Sequence, residues 1–147
     1  MNNTNYTHSF DTNTPLIQEP KSFIKIFTHN IMTCTEPLKR NQIIKEIEQN
    51  EIDILGISET NIKHKDIRYV KKEFQKTHTI YLNSHHKQYL GSGVALIITN
   101  ELNKYVINHN GKDGRYIFID LLFRNRQRIR IIQIYLYANS KDLLERV

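Results

Sequence analysis

The sequence has only one cysteine, Cys34, and no apolar run long enough to cross a membrane. A single cysteine excludes an intramolecular disulfide, so a reducing compartment suits the chain, and we expect Cys34 to be a small packing residue. The longest apolar run, at 117–123, is interrupted by Asp120. Residues 1–13 lack both the basic start and the apolar segment of a secretory signal. These absences favour an intracellular protein, either nuclear or cytoplasmic.

Two further motifs lack the residues that would complete them. Gly91-Ser92-Gly93 does not continue into Gly-Lys-Ser/Thr, so it is not a phosphate-binding loop. Adjacent histidines can bind a metal, but His85-His86 has no third ligand at a characteristic spacing. A surface loop is therefore the favoured interpretation of the histidine pair.

Charge and length set broad limits on partner and fold. The 147 residues carry a formal net charge of +6, and 39% of them are hydrophobic. This length suits one domain with a moderate core. Clustered Lys and Arg favour a polyanionic partner such as nucleic acid, because binding releases counterions from phosphates.

The first half of the chain reads as a strand, a helix and a strand. Residues 1–21 are polar with Pro15 and Pro20, which indicates a disordered leader before a domain at 22–147. The patterns predict a strand at 23–27, a helix from 35–37 to residue 50, and a buried strand at 52–57. A right-handed crossover makes the two strands parallel, so Asn30 and Glu59 emerge at the same edge of the sheet. Open α/β folds bind ligands at that edge.

The second half is predicted to be mostly strand. We expect a helix at 65–76, short strands at 79–82 and 94–99, and a three-stranded antiparallel meander at 105–109, 116–123 and 129–137. A helix start at 139–142 follows, and the sequence ends soon after it, so we expect a chain that is cut short. The sum is an α/β fold with a mixed sheet of about six strands and two helices on one face.

Four stretches together resemble the endonuclease/exonuclease/phosphatase family, which includes DNase I-like nucleases, abasic-site endonucleases, inositol-phosphate phosphatases and retrotransposon endonucleases. They are IKIFTHNI at 24–31, DILGISET at 53–60, GSGVALII at 91–98 and IYLYAN at 134–139. Their order and spacing agree with the amino-terminal half of the family's domain. The resemblance implies the first half of a four-layered DNase I-like α/β sandwich, left incomplete.

The resemblance also implies roles for individual residues. Glu59 would be a ligand of the catalytic Mg²⁺, or of Mn²⁺ in its place. Asn30 would bond near the metal or the nucleophile, Tyr135 would address the scissile phosphate, and Asn139 would belong to the same site. Each has an ordinary alternative: Glu59 as the start of a solvated loop, Asn30 as a turn residue and Tyr135 as a core ring.

The resemblance to the family differs at one position and lacks two of the family's later motifs. Tyr137 stands where many members have Pro, which bears on the position of Asn139. The family's later Gly-Asp-x-Asn and Ser-Asp-His stretches do not occur in the 147 residues. These stretches would supply the group that activates water, further metal ligands and the essential histidine.

Three functions follow as hypotheses. The first is a metal-dependent phosphoester hydrolase of nuclease type, inactive as this fragment and completed by the missing carboxyl-terminal half. DNA ranks ahead of RNA as its partner, and the sequence does not distinguish DNA, RNA and inositol phosphates as substrates. The second is a non-catalytic nucleic-acid-binding remnant, and the third is a truncated gene product without independent function. Arg115, Arg124 and Arg126 are the predicted nucleic-acid contacts, although a solvated sheet face is the preferred explanation of the whole arginine cluster, which includes Arg128 and Arg130.

Overall fold

Seven strands form two sheets in the computed structural model, which describes residues 23–86 and 91–136. The first sheet contains β1 (Ile26–Asn30), β2 (Ile54–Ser58), β3 (His78–Asn83) and β4 (Val94–Thr99), in the order β1-β2-β4-β3. The second contains β5 (Val106–Lys112), β6 (Tyr116–Leu122) and β7 (Arg128–Ile134), in that order. The helices are α1 (Pro37–Gln49), α2 (Ile67–Phe74) and α3 (Asn100–Asn103), and a 3₁₀ turn (His64–Asp66) precedes α2.

The predicted strand-helix-strand unit is present. Helix α1 begins at Pro37, whose missing N–H and fixed φ suit the first turn of a helix. It connects β1 to β2, which pair in parallel with Ile26 beside Ile54 and Asn30 beside Ser58. The ends of these two strands therefore lie side by side at one edge of the sheet.

Both long helices pack on one face of the first sheet. Helix α1 buries Ile43 and Ile47, and helix α2 buries Val70 and Phe74. These side chains pack in one core cluster with Leu55, Ile57 and Ile97 of the sheet. Arg40 of α1 is 3% exposed, donates to Glu73 of α2, and also donates to the carbonyl oxygens of Cys34 and Thr35. This ion pair ties the two helices to the loop that follows β1.

The second sheet covers the other face of the first. Strand β6 buries Ile117, Ile119 and Leu121 at every second position, as expected when one face of a strand meets a core. These side chains pack against Ile54, Val94, Leu96 and Ile98. A Cβ added to Gly56 would lie 2.1 Å from Gln133 Oε1, so the Gln133 side chain would have to move if β2 carried a larger residue where it passes under β7. The layers are therefore helices, first sheet and second sheet.

The outer face of the second sheet holds a buried carboxylate. Asp120 accepts hydrogen bonds from Arg130 at 2.7 and 2.8 Å, from Arg128 at 3.2 Å and from Asn108 at 3.3 Å. These bonds hold the pKa of Asp120 well below its ordinary value. The solvated-face interpretation of Arg128 and Arg130 is confirmed, because both are partly exposed and both pair with a residue of the neighbouring strand.

The predicted α/β class, the parallel pair, the two helices on one face and the meander are confirmed. The single sheet of about six strands is wrong, since the described strands number seven and divide into two sheets. The reason is that the apolar face of the meander turns over the first sheet instead of extending its edge. Strand β1 begins at Ile26 rather than 23, and Phe23 is 63% exposed. The short α3, capped by the Thr99 hydroxyl, was not predicted.

Two sequence predictions fall outside the described residues, namely the leader at 1–21 and the helix start at 139–142. None of the helices in the described part of the chain is long and apolar enough to span a membrane.

Candidate active site

Three strand ends from the two sheets bring polar side chains together. Asn30 ends β1 and Glu59 follows β2, while Tyr135 follows β7 in the second sheet. Strand β7 lies against β2 across the interface between the sheets, so its end reaches the edge where β1 and β2 end. The site therefore exists only when both sheets are assembled.

One carboxylate oxygen is the centre of this cluster. Asn30 Nδ2 donates to Glu59 Oε1 at 2.8 Å, and Tyr135 Oη donates to the same oxygen at 2.8 Å. The other oxygen, Oε2, accepts no hydrogen bond from the described residues. Two neutral donors thus fix the orientation of the carboxylate and leave its second oxygen open to a ligand.

The loops around Glu59 have unusual backbone conformations. Six non-glycine residues of the described ranges have positive φ, and three of them border the site: Met32 at 58°, Glu59 at 58° and Asn61 at 51°. Left-handed backbone is uncommon outside glycine and is concentrated at functional sites, where surrounding contacts maintain it. We infer that the backbone conformation of these three residues helps to fix the position of the Glu59 side chain.

Asn61 supplies several of the contacts that maintain this backbone. Its Oδ1 accepts from the Gly91 N–H at 2.8 Å and from the Ser92 N–H at 3.3 Å, and its Nδ2 donates to Met32 O at 3.3 Å. Asn61 therefore links the loops after β1 and before β4 to the loop that carries Glu59. Sequence analysis missed it, although asparagine is among the residues that tolerate left-handed backbone and was the available signal.

Close packing behind Glu59 requires a glycine. The Thr60 N–H donates to Gly93 O at 3.2 Å, and the buried Thr60 hydroxyl has no partner among the described residues. A Cβ on Gly93 would lie 2.3 Å from that hydroxyl, and the φ of Gly93 is +94°. Cys34 packs nearby, and burial raises the pKa of its thiol to about 12. Cys34 is a packing residue, as predicted, because it lies in the core and is 1% exposed.

The end of the sandwich that carries the site is rich in cations. Lys63 lies on the loop that leaves Glu59 and Lys65 lies in the 3₁₀ turn that follows, while Lys112 and Arg115 flank the turn between β5 and β6. Arg115 O accepts from the Tyr135 N–H at 2.7 Å, so this turn adjoins the site. Asp66 and Asp113 lie in the same two segments, so carboxylates offset part of this charge, and only the remaining excess of cations favours an anionic ligand.

The predicted contact residues separate into two groups. Arg115 lies at the end of the molecule that carries Glu59, whereas Arg124 and Arg126 lie on the turn between β6 and β7. A seven-residue strand separates the two ends, which is about 20 Å. One compact interface at the site therefore does not combine all three arginines. Asn139 and Tyr137 lie outside the described residues.

The cluster around Glu59 offers a cation one carboxylate oxygen. In the described ranges no group of three or more His, Cys, Asp and Glu side chains converges, and the rings of His85 and His86 stack on each other at 4.6 Å. Glu59 Oε2 is an open, hard oxygen donor. Mg²⁺ prefers such ligands and keeps several waters, so one or two carboxylates suffice. The residues present fit a hydrated Mg²⁺ or Mn²⁺ held through Glu59.

Comparison with known proteins supports the fold. No protein-family model and no curated protein matches the sequence. Among solved structures, the chain is similar to the crystal structure of AP endonuclease LMAP from Leishmania major, with a TM-score of 0.60 and 12% identity. It is also similar to an endonuclease/exonuclease/phosphatase family protein from Leptotrichia buccalis, with a TM-score of 0.52 and 15% identity.

The similarity covers most of this chain and part of each structure. It spans 82% of this chain and 42% of the Leishmania protein, and 85% of this chain and 62% of the Leptotrichia protein. The chain therefore has the DNase I-like α/β fold of these proteins over a part of their length.

Proposed function

We propose that the site is the metal-ligating part of the active centre of a phosphoester hydrolase of nuclease type that depends on a divalent metal. The observation that carries the proposal is the pair of hydrogen bonds from Asn30 and Tyr135 to Glu59 Oε1. These bonds hold the carboxylate in one orientation with Oε2 directed away from them. A carboxylate that only began a solvated loop would not need two donors from different sheets.

Each side chain has a role in this proposal. Glu59 Oε2 would hold Mg²⁺ or Mn²⁺, which when bound neutralises phosphoryl oxygens. Asn30 and Tyr135 orient Glu59, and both are neutral donors that stabilise developing negative charge without losing a proton. Tyr135 would also contact the scissile phosphate, and Asn139 remains a predicted member of the site.

The proposed substrate is nucleic acid, with DNA ahead of RNA and of small phosphomonoesters. The net charge of +6 favours a polyanion. Lys63, Lys65, Lys112 and Arg115 supply cations at the end of the molecule that carries Glu59. The similarity to a protein described as an AP endonuclease favours DNA. Arg124 and Arg126 remain predicted contacts, for a surface at the other end of the molecule.

We expect little hydrolysis by this chain alone. The 147 residues contain neither the Gly-Asp-x-Asn nor the Ser-Asp-His stretch. Loss of a general acid or base commonly lowers the rate by about two to four orders of magnitude. Binding of metal and nucleic acid is therefore a better test of the site than turnover.

Two alternatives are each favoured by an observation. A non-catalytic nucleic-acid-binding remnant needs the cations near the site but not Glu59. A truncated product without independent function is favoured by exposed apolar side chains in the second sheet, where Ile134 is 57% and Leu136 is 80% exposed.

A binding experiment separates these functions. The affinity for labelled DNA is measured by fluorescence anisotropy, with Mg²⁺ and with a chelator, for the native chain and for Glu59→Gln. We expect Mg²⁺ to strengthen binding in the native chain and to have no effect in Glu59→Gln. Glu101→Gln, which changes a carboxylate at the far end of the molecule, is the matched control and keeps the Mg²⁺ effect.

The other outcomes are equally specific. A non-catalytic binder is identified by an affinity for DNA that falls with salt and does not change with Mg²⁺ or in Glu59→Gln. In that case the affinity is also lower in Lys112→Ser and Arg115→Ser. The absence of any binding favours the truncated product. Vigorous metal-dependent nicking of plasmid DNA, abolished by Glu59→Gln, would show that the chain is active without the missing stretches.

A further inference from the structure

Helix α2 carries cations and an aromatic ring on the face that points away from the sheet. Its fully buried side chains, Val70 and Phe74, pack in the core between the helices and the first sheet. With about 3.6 residues per turn, the side of the helix opposite these two residues carries three cations and one ring. We call this set of exposed residues the α2 strip: Lys65 of the preceding 3₁₀ turn, Arg68, Tyr69 and Lys72.

The cations of the α2 strip are not neutralised by neighbouring carboxylates. Residues 63–76 contain six Lys and Arg residues and only two carboxylates, Asp66 and Glu73. Glu73 already accepts hydrogen bonds from Arg40 of α1 through both of its oxygens. Among the residues that the structure describes, neither Asp66 nor any of the three cations of the strip forms an ion pair.

This charge pattern works against the helix. Like charges three or four residues apart on a helix repel each other, which applies to Lys65 with Arg68 and to Arg68 with Lys72. Arg68 also lies in the first turn, where a cation opposes the helix dipole, and that turn contains no acidic residue. An anionic partner bound along the strip would relieve both effects.

The neighbouring helix in the same layer is different. The exposed charged residues of α1 have both signs: Lys39, Lys45, Glu46 and Glu48. A mixture of signs is the ordinary pattern of a solvated helix face. The single sign of the α2 strip therefore calls for an explanation that α1 does not need.

The chemistry of the strip narrows the choice of partner. A basic helix binds a membrane through its apolar face, but Val70 and Phe74 are only 2% and 1% exposed. Tyr69 is 61% exposed beside Arg68 and Lys72. Cations next to an exposed ring suit an unpaired nucleic-acid strand, because its phosphates meet the cations while a base stacks on the ring. A duplex offers only its phosphates, and an acidic protein only its carboxylates.

The strip begins at the end of the molecule that carries Glu59. Strands β2 and β3 run in the same direction, because both are antiparallel to β4. The segment that joins them, which includes α2, therefore starts at the Glu59 end and runs back along the sandwich. From Lys65 to Lys72 it advances about 11 Å at about 1.5–2.0 Å per residue, which is the length of about three stacked nucleotides.

We propose that the α2 strip binds a single-stranded segment of nucleic acid that continues from the candidate active site. Phosphates pair with Lys65, Arg68 and Lys72, and one base stacks on Tyr69. This inference rests on the proposed function only in taking nucleic acid as the ligand. It needs neither the metal nor Glu59.

The salt dependence of binding tests the three cations. The affinity for labelled oligothymidylate is measured by fluorescence anisotropy over a series of salt concentrations with a chelator present. Each phosphate contact on a single strand contributes about 0.7 to the slope of log affinity against log salt. We therefore expect the triple variant Lys65→Ser, Arg68→Ser and Lys72→Ser to lower the slope by about 2.

A matched control removes the same charge elsewhere. The triple variant Lys39→Ser, Lys45→Ser and Lys104→Ser changes three exposed lysines outside the strip and is expected to keep the native slope. Circular dichroism melts verify that both triple variants are folded.

The aromatic ring is tested separately at one salt concentration. Tyr69→Ala is expected to weaken the binding of oligothymidylate about tenfold, because stacking on one base is lost. Tyr69→Phe keeps the ring and the affinity. The affinity for a duplex of the same length is expected to be equal in Tyr69→Ala and in the native chain, because paired bases do not stack on the ring.

Several results would overturn the proposal. They are the absence of any binding by the native chain, equal salt slopes in the two triple variants, and a Tyr69→Ala variant that binds oligothymidylate as well as the native chain does. Competition by polyglutamate as strong as that by unlabelled oligothymidylate would also overturn it, since the strip would then accept any polyanion.

Failure of the strip is distinguishable from failure of the proposed function. A chain that shows the expected change in slope but no response to Mg²⁺ or to Glu59→Gln keeps the strip and loses the metal site. A chain that responds to Mg²⁺ through Glu59 but has equal slopes in the two triple variants keeps the metal site and loses the strip.

Discussion

Tyr135 Oη and Glu59 Oε1 are joined by a 2.8 Å hydrogen bond across 76 residues of sequence. Glu59 leaves the first sheet and Tyr135 leaves the second, so this bond connects the two sheets at the candidate site. The orientation of the carboxylate therefore depends on the assembly of the whole described fold, and not on its own loop alone.

Replacing Tyr135 with Phe removes this bond and keeps the ring. We expect the free energy of unfolding to fall by about 0.5–1.5 kcal/mol, the usual net value of one hydrogen bond. Urea denaturation measures the change. Tyr69→Phe is the control, because Tyr69 is 61% exposed on α2, and it is expected to change nothing. Equal losses in the two variants would mean that the Tyr135 hydroxyl does not contribute through Glu59.

Asn61 is expected to be the most sensitive residue of the surrounding loops. Asn61→Ala removes the bonds to Gly91, Ser92 and Met32 and places a Cβ-bearing residue without a local acceptor at φ 51°. Lost bonds cost about 1 kcal/mol each and the left-handed backbone about 1–2 kcal/mol. Asn61→Gly loses the bonds but keeps the backbone, so it should be more stable than Asn61→Ala in urea. Comparable stability of the two variants would show that the backbone is not held left-handed.

Local patterns were enough to predict the strand-helix-strand unit and the meeting of Asn30 with Glu59. Alternation in β1, helical spacing in α1 and the short final loop each depend on neighbouring residues, and parallel pairing then follows from chirality. The division into two sheets was not predictable in this way. It depends on how the apolar face of β6 meets Leu96 and Ile98, which is a long-range contact.

Side-chain networks were harder still to predict. Asn61 acts through loops that approach each other only in the folded chain, and no spacing in the sequence shows this. Arg124 and Arg126 resemble Arg115 in sequence, but the direction of β6 carries them to the other end of the molecule. Residue type and sequence spacing predicted all three arginines as contacts. Only the strand topology shows that Arg115 lies near the site and that Arg124 and Arg126 lie at the opposite end.

Arg40→Met tests the buried ion pair between the helices. The change leaves Glu73 and the carbonyl oxygens of Cys34 and Thr35 without their donor. Breaking a buried pair by removing one partner costs about 3–5 kcal/mol, and the partial exposure of Glu73 places the expected loss near the lower value. Arg68→Met, on the exposed side of α2, is the control in urea denaturation. A loss below about 1 kcal/mol would contradict a structural role for the pair.

Asp120 predicts a particular dependence of stability on pH. Arg130, Arg128 and Asn108 lower the pKa of Asp120 in the folded chain, so the folded state binds its proton less readily than the unfolded state. The stabilisation is therefore complete above the unfolded pKa of about 3.9 and is lost as the pH falls through the folded pKa. Asp120→Asn should be less stable than the native chain near neutral pH, with the difference shrinking in acid. A constant difference across the acid range would contradict this assignment.

The most direct test of the site is Mn²⁺ binding, observed as paramagnetic broadening of amide resonances in isotope-labelled protein. We predict that Mn²⁺ broadens the resonances of Asn30, Glu59 and Gly91 first, that Glu59→Gln abolishes this broadening, and that Glu101→Gln preserves it. Broadening that persists in Glu59→Gln, or that centres on Glu48 and Glu51 at the other end of the molecule, would contradict the proposal that Glu59 holds the cation.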